Sequence, residues 1–239
     1  AFVELEGLEK VLAIYYNGGP TGGGQPTTVD KAGYTGQYYQ NTQSFAQSSG
    51  REFSGTIIAP GLTSASGVET GMNFVNDNYE TGDQVIVYGY SYGVDVAVDL
   101  TESLNEAGIN VDLLVTVDGS DGPLQNTTVN TDIPENVDTN LNVYQTSNSR
   151  ASSSSRSRGA SSSVTSSGST GSRSTNSGSS NSPGSSGGPN SAVNPSKTNV
   201  VNKNITGTGV NHGNVQQKAV NTIQPLINTR INNYPRNQN

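Results

Sequence analysis

The pentapeptide Gly89-Tyr90-Ser91-Tyr92-Gly93 is the segment whose residue types and spacing point most directly to chemistry. A Gly-x-Ser-x-Gly turn between a strand and a helix holds a serine hydroxyl out of the sheet, where a base and a substrate can reach it. The two glycines leave room for the turn, since a Cβ there would collide with neighbouring backbone. Unpaired N–H groups at the start of the helix would face a developing oxyanion, and the N–H of Tyr92 is the first expected donor.

The motif alone is weak evidence, because Gly and Ser are common in this chain. Gly184, Ser186 and Gly188 match the same pattern inside a low-complexity region, where no predicted strand or helix positions the serine. Only Ser91 lies where an apolar strand, Gln84 to Tyr88, meets an amphipathic helix. This context makes Ser91 the candidate nucleophile.

A serine nucleophile needs a base, and His212 is the only histidine in the chain. We therefore expect His212 to accept the proton of Ser91, the alternative being that it is an ordinary polar loop residue. The chain has no cysteine, which excludes disulfides, thiolate catalysis and thiolate metal sites. With one histidine and no cysteine a conventional zinc site is also excluded, and we expect neither a metal nor a cofactor.

Apolar runs that would position these residues alternate with helical patterns. The predicted strands are Lys10–Tyr16, Gly55–Ala59, Gln84–Tyr88, Val111–Val117 and, as the last strand, Leu141–Gln145. Such alternation indicates the α/β class, with a mostly parallel sheet covered by helices on both faces.

Three helices are predicted between and after these strands. Ser66 and Glu69 fit a capping box at the start of a helix that stops before Gly82. Tyr92–Ala107 predicts a second helix with Gly108 at its C-terminal cap. A closing helix around residues 215–223 is expected to be interrupted or ended by Pro225, and the stretch from residue 17 to about residue 50 is predicted to be a polar loop.

The rest of the chain is a Ser-rich segment. Residues 147–191 are dominated by Ser, with Gly, Asn, Arg and Pro, and are predicted to be a disordered insertion within a single domain spanning residues 1–239. All 19 carboxylates lie before residue 147, so the net charge is −16 there and +9 beyond it. We expect the spaced arginines of this segment to form a solvated loop and not a nucleic-acid site. No apolar stretch is long enough to span a membrane.

From Gln84 to Leu124 the order of strand, GYSYG turn, helix and VDLLVTVDGSDGPL resembles the α/β-hydrolase family, in particular its lipase and esterase-like members. The likeness extends over most of the chain outside the Ser-rich segment. Val94 is a departure, because many relatives have glycine there. The sequence also resembles a hydrolase domain found at the C-terminal end of rearrangement-hotspot repeat proteins.

The resemblance implies a compact α/β-hydrolase-like fold and an acid that orients the histidine. No carboxylate follows residue 138, which leaves Asp118 or Asp121. Asp118 directly follows a predicted strand, where lipase-like relatives carry an aspartate, and is expected to be the acid, with Asp121 in reserve; the alternative is that Asp118 caps a turn. By the same resemblance, Gly18 or Asn17 would supply a second oxyanion N–H, unless Asn17–Pro20 is only a turn.

The sequence thus favours a serine hydrolase that cleaves carboxylic esters, small or lipid, through a Ser91-His212-Asp118 triad. The alternative is a non-catalytic surface or interaction domain on a hydrolase scaffold. Tyrosines 15, 16, 88, 90 and 92 are candidates to line an apolar cleft. The chain begins at Ala1 without an initiator methionine or signal core, so we expect a mature form or a piece of a larger exported protein, secreted or at the cell surface. The oligomeric state is left open.

Overall fold

The computed structural model describes residues 10–120, 129–146 and 187–234. Its strands are β1 (Lys10–Tyr16), β2 (Gln25–Pro26), β3 (Glu52–Ala59), β4 (Gln84–Tyr90), β5 (Leu113–Val117), β6 (Asp132–Ile133), β7 (Thr139–Tyr144), β8 (Ser191–Ala192) and β9 (Asn199–Asn204). Its helices are α1 (Gly33–Ser48), α2 (Ser64–Asn78), α3 (Gly93–Glu106), α4 (Val215–Lys218) and α5 (Val220–Asn233), with a 3₁₀ turn at Val29–Lys31.

Seven of these strands form one sheet in the order β2-β3-β1-β4-β5-β7-β9. Every neighbouring pair is parallel except β2 with β3, which is antiparallel. The two short strands β6 and β8 pair separately. The predicted α/β class with a mostly parallel sheet is therefore confirmed.

Helices cover both faces of the sheet, as predicted. On β1, Val11, Ala13 and Tyr15 belong to a core that also holds buried side chains of α1, α4 and α5. The alternate residues Leu12, Ile14 and Tyr16 belong to a second core, filled by side chains of α2 and α3. Because successive side chains of a strand point to opposite faces, a sheet buried on both sides reads as the continuous apolar runs of the sequence.

The prediction of a polar loop from residue 17 to about residue 50 is wrong, because Gly33–Ser48 forms α1. The helix buries hydroxyl-bearing and small residues instead of Leu or Ile: Thr35, Gly36, Tyr38, Thr42 and Ala46. Their hydroxyls find partners inside the protein; Thr42 Oγ1, for example, lies 2.7 Å from Tyr15 Oη. A buried helix face made of Thr and Tyr has no apolar periodicity in the sequence.

Three smaller expectations also fail. The last strand is β9 and not 141–145; its mostly polar residues lie at the open edge of the sheet, where the apolar pattern of a buried strand is not required. Helix α2 begins at Ser64 after Thr63, so Ser66 and Glu69 do not form its cap. Pro225 lies inside α5 and does not end it, since the buried face of Ile223, Ile227 and Ile231 continues across the proline.

Most of the predicted disordered insertion, residues 147–186, lies outside the described residues. Its predicted last residues, 187–191, are described, and Gly187 and Asn190 among them are buried. The side-chain amide of Asn190, which is 8% exposed, donates to Thr116 Oγ1 at 3.1 Å and Asn140 Oδ1 at 2.9 Å. These buried hydrogen bonds hold Asn190 beside β5 and β7. Among the described residues, no helix is both long and apolar enough to cross a membrane.

Candidate active site

The carboxyl ends of β1, β4, β5 and β7 form one edge of the sheet, and candidate residues follow each of them. The register pairs Tyr16 with Gly89, Tyr90 with Val117, and Val117 with Val143. Residues 17, 91, 118 and 145 are therefore brought to a common edge. Neighbouring strands lie about 5 Å apart, a gap that an imidazole can bridge. The chain also changes direction here, passing from β1 to β3 on one side and returning to β4 on the other, and such crevices bind ligands in α/β sheets.

Ser91 lies on a tight turn between β4 and α3. Its φ is +55°, a left-handed backbone conformation that costs a non-glycine residue roughly 1–2 kcal/mol. A Cβ on Gly89 would lie 2.5 Å from the carbonyl oxygen of Gly93, and one on Gly93 would lie 2.5 Å from that of Asn17. The glycines of the motif are thus required by close packing of the helix start against β4 and the loop after β1.

Three of the predicted site residues lie in hydrogen-bond contact. Ser91 Oγ is 2.7 Å from His212 Nε2, and His212 Nδ1 is 2.8 Å from Asp118 Oδ2. Ser91 is 8% exposed and Asp118 is fully buried, while the imidazole is 29% exposed. The histidine therefore lies between a buried carboxylate and a nearly buried hydroxyl at the rim of the site.

These contacts fix the direction of each hydrogen bond. A carboxylate only accepts, so Nδ1 of a neutral His212 carries the proton and donates it to Asp118. Nε2 then has a free lone pair and accepts the hydroxyl proton of Ser91. In this arrangement the serine proton already points to the base, as acyl transfer through a nucleophilic serine requires.

Asp118 is held from two sides. Besides the bond from His212, its carboxylate accepts the backbone N–H of Gln145 at 3.2 Å and the side-chain amide of Gln145 at 3.0 Å. Its φ is +47°, and Ser91 and Asp118 are the two non-glycine residues with positive φ among those the structure describes. Strained backbone at both positions is typical of sites where geometry is kept for function.

The side chain of Tyr90 contacts His212, which lies in the histidine loop, the segment between β9 and α4 (residues 205–214). Its hydroxyl donates to the carbonyl oxygen of His212 at 2.6 Å, and the two rings stack with centroids 5.4 Å apart and an interplanar angle of 23°. Burial, and secondarily the charge of Asp118, raise the pKa of Tyr90 to about 12. The hydroxyl therefore remains a neutral donor throughout the range in which an imidazole titrates.

The three oxyanion candidates differ in whether their N–H groups are free. The N–H of Asn17 donates to the carbonyl oxygen of Ile58 at 3.0 Å, so Asn17 does not fit the role. Among the described residues, no acceptor binds the N–H of Tyr92 or Gly18. Gly18 lies against the turn, since a Cβ there would lie 3.2 Å from Ser91 Cβ and 2.8 Å from Tyr90 Cδ1.

The remaining predictions concern the reserve acid, Asp121, and the tyrosines expected to line a cleft. Asp121 is outside the described residues. Tyr15, Tyr16 and Tyr88 are fully buried in the two cores and do not line a cleft, because their positions on β1 and β4 face the covering helices. A cavity of about 470 Å³ lies around β8 and β9 and includes none of the triad residues. Its lining is mostly Asn, Ser and Thr, and its one ionisable side chain, Lys197, forms an ion pair with Glu135 at 3.1 Å.

Sequence reasoning missed Gln145 and the contacts of Tyr90. Both carried a usable signal: Gln145 directly follows a strand at the same sheet edge, and Tyr90 directly precedes the candidate nucleophile. In the part of the chain that is described, no group of three or more His, Cys, Asp or Glu side chains could hold a metal ion.

No family model matches the chain, and no curated protein matches its sequence. Similar solved structures include a hyperthermophilic esterase from the archaeon Pyrobaculum calidifontis, with 18% identity and a TM-score of 0.30 over 48% of this chain and 38% of the esterase. Another is a variant of tomato methylketone synthase I complexed with β-ketoheptanoate, with 13% identity and a TM-score of 0.31 over 48% of this chain and 42% of the synthase. The matches span less than half the length of either structure.

Proposed function

We propose that this chain is a serine hydrolase of carboxylic esters, with Ser91 as nucleophile, His212 as general base and acid, and Asp118 as the group that orients the imidazole. One observation carries the proposal: Ser91 Oγ lies 2.7 Å from the only imidazole of the chain, and a buried carboxylate lies 2.8 Å behind that ring. A base within hydrogen-bond reach of the hydroxyl, itself oriented by a third group, is the arrangement that activates a serine.

In the acylation step, Ser91 Oγ attacks the ester carbonyl carbon and its proton passes to His212 Nε2. The carbonyl oxygen becomes an oxyanion, and Asp118 stabilises the imidazolium through the Nδ1 bond without taking its proton. When the tetrahedral intermediate collapses, the bond to the alcohol breaks and His212 returns the proton to the leaving oxygen. The products are free alcohol and an acyl group on Ser91.

Deacylation repeats the sequence with water. His212 Nε2 takes a proton from a water molecule, whose oxygen attacks the acyl carbon. Collapse of the second tetrahedral intermediate breaks the bond to Ser91 Oγ, which recovers a proton from His212. The carboxylic acid leaves and the resting hydrogen bonds are restored.

The oxyanion would be bound by the N–H groups of Tyr92 and Gly18. The first lies at the N-terminal end of α3, where helix geometry leaves backbone donors unpaired. The second comes from the loop after β1, whose Gly18 packs directly against the serine turn. Each such donor contributes roughly 3–4 kcal/mol to the transition state in acyl transfer.

The test is turnover of p-nitrophenyl esters of increasing acyl length by the full chain and by Ser91→Ala and His212→Ala. We expect both substitutions to lower kcat by at least about 10⁴-fold, because either one removes the nucleophile–base pair. Ser48→Ala, which removes an exposed hydroxyl on α1, is the matched control and should leave turnover unchanged. The chain-length series separates small esters from lipid esters. Equal rates for all four proteins would favour the non-catalytic domain.

We also propose a cellular location for the protein. A location outside the cell, as the hydrolase domain of a larger exported repeat protein, fits the Ser-rich segment and the sequence resemblance. Labelling of intact producing cells with a membrane-impermeant amine reagent tests the location. Modification of this chain together with other surface proteins is expected, and protection until the cells are lysed would contradict it.

A further inference from the structure

Ser120 places a second hydroxyl in contact with the candidate nucleophile. Its Oγ lies 2.8 Å from Ser91 Oγ. The residue is partly exposed, follows β5, and comes two positions after Asp118. Neither the triad nor the oxyanion donors account for this contact.

The direction of this hydrogen bond follows from counting protons. Ser91 has one hydroxyl proton, and that proton is donated to His212 Nε2, because Nδ1 already carries the proton bound by Asp118. Ser91 Oγ must therefore be the acceptor in its contact with Ser120. In the resting site, Ser120 donates to the nucleophilic oxygen.

The order of the strands places Ser120 opposite Gly18, one of the two expected oxyanion donors. Strand β4, which Ser91 directly follows, has β1 on one side and β5 on the other. Gly18 approaches from β1, whereas Ser120 and Asp118 approach from β5. Ser120 thus lies on the same side of Ser91 as Asp118, away from Gly18.

The backbone that carries Ser120 is fixed by packing. A Cβ on Gly119 would lie 3.0 Å from Val129 Cγ1 and 3.1 Å from Val94 Cγ1. Val94 is the position where the sequence departs from the glycine of many α/β-hydrolases. Here its side chain packs against Gly119, so the backbone directly before Ser120 lies against α3.

Resting on the proposed function, we propose that Ser120 is a positioning residue for acylation. Its donated hydrogen bond occupies one lone pair of Ser91 Oγ, limits rotation of that hydroxyl, and leaves the other lone pair for the acyl carbon. Ser120 gives up no proton: during attack the Oγ–carbon bond forms, the Ser91 proton passes to His212, and Ser120 keeps its own. Its effect is therefore on the rate of acylation and not on ester binding.

The test is the pre-steady-state burst of p-nitrophenolate from p-nitrophenyl acetate, measured with the full chain, Ser120→Ala, Ser120→Thr and the Ser48→Ala control. For Ser120→Ala we expect an acylation rate constant about tenfold lower, the loss of one hydrogen bond, with the ester dissociation constant unchanged within about twofold. Ser120→Thr keeps the hydroxyl and should recover most of the rate. Thermal unfolding midpoints should agree for all four proteins.

Three outcomes would overturn the inference or its premise, and they are distinguishable. Wild-type acylation with an unchanged rate in Ser120→Ala would remove the role of Ser120 and leave the serine hydrolase intact. A lower unfolding midpoint in Ser120→Ala, without recovery by threonine, would assign the contact to structure alone. Absence of both a burst and any steady-state release of p-nitrophenolate by the wild-type chain would defeat the proposed function itself.

Discussion

At the scale of single residues, Gln145 holds the carboxylate of Asp118, the proposed acid of the triad. Asp118 is fully buried, and its carboxylate receives both the backbone and the side-chain N–H groups of Gln145 in addition to His212 Nδ1. A buried carboxylate needs such donors to replace lost water. Gln145 and His212 both bind Oδ2, so the glutamine also fixes the orientation in which the carboxylate meets the ring.

Gln145→Ala removes the side-chain donor and leaves the backbone donor in place. We expect kcat/KM for a p-nitrophenyl ester to fall about 10- to 100-fold, since hydrogen bonds to charged groups contribute about 1.5–3 kcal/mol. Gln217→Ala, at an exposed glutamine of α4, is the control. An unchanged kcat/KM in a folded Gln145→Ala protein would mean that His212 and the backbone N–H of residue 145 are enough to orient Asp118.

At the scale of elements, α4 is the anchor that brings the histidine loop to the sheet edge. The carbonyl oxygen of Gln216 accepts the Tyr38 hydroxyl at 2.7 Å, and its side-chain amide donates to Tyr88 Oη at 2.8 Å and Thr35 Oγ1 at 2.9 Å. Through these bonds α1 and β4 hold α4, which begins three residues after His212. Helix α1, which was predicted to be a loop, therefore helps to position His212, the proposed base, through its contacts with α4.

Tyr90 joins β4 to the same loop by a hydrogen bond and by ring stacking, and two substitutions separate these contacts. Tyr90→Phe keeps the ring and should lower kcat/KM about fivefold, the cost of one hydrogen bond. Tyr90→Ala removes both contacts and should lower it more than tenfold further, because His212 is no longer held against β4.

The measurement is the kcat/KM of each variant across pH. Burial and Asp118 raise the pKa of Tyr90 to about 12, so wild type and Tyr90→Phe should have the same profile shape below about pH 10. A basic limb near neutral pH that is present in wild type and lost in Tyr90→Phe would contradict this account.

At the scale of the whole molecule, the sheet carries a second partly buried carboxyl group, Asp112, at the edge opposite the candidate active site. Asp112 directly precedes β5 at the end opposite Asp118, about 20 Å away, or six residue steps along the strand. Burial, together with the nearby charge of Asp138, raises the pKa of Asp112 to about 6, while the Val85 N–H and Arg230 oppose the shift. The folded state therefore binds a proton more tightly than the unfolded chain.

This pKa shift predicts how stability depends on pH. A carboxyl group whose pKa is raised on folding favours the folded state at low pH, and that contribution is lost as pH rises from about 4 to about 6.5. The free energy of unfolding should therefore fall more across this window in wild type than in Asp112→Asn, by on the order of 2 kcal/mol.

Urea unfolding at a series of pH values measures this difference. Asp77→Asn, at an exposed aspartate of α2, is the control and should follow wild type. Parallel curves for wild type and Asp112→Asn would contradict the prediction.

The fold class and the turn at Ser91 could be inferred from the sequence because their signals are local, whereas His212 was inferred as the only histidine and Asp118 by elimination together with the family resemblance. Continuous apolar strands mark a sheet buried on both faces, and a strand–turn–helix around Ser91 marks the elbow. What could not be inferred depends on long-range partners. The buried face of helix α1 consists largely of Thr and Tyr, so it shows no apolar pattern. Strand β9 is a mostly polar strand at the edge of the sheet. Gln145 becomes a functional candidate only once the pairing of β7 with β5 is known.

The most direct test of the central claim is to react the folded chain with a fluorophosphonate and locate the adduct by mass spectrometry. Cleavage before Asp83 and Asp95 releases residues 83–94, a peptide in which Ser91 is the only serine. We expect one phosphonyl group per chain on this peptide, no phosphonyl group in Ser91→Ala, and a labelling rate lowered by orders of magnitude in His212→Ala. An unmodified 83–94 peptide, or equal labelling of the His212→Ala protein, would contradict the claim that Ser91 is a nucleophile activated by His212.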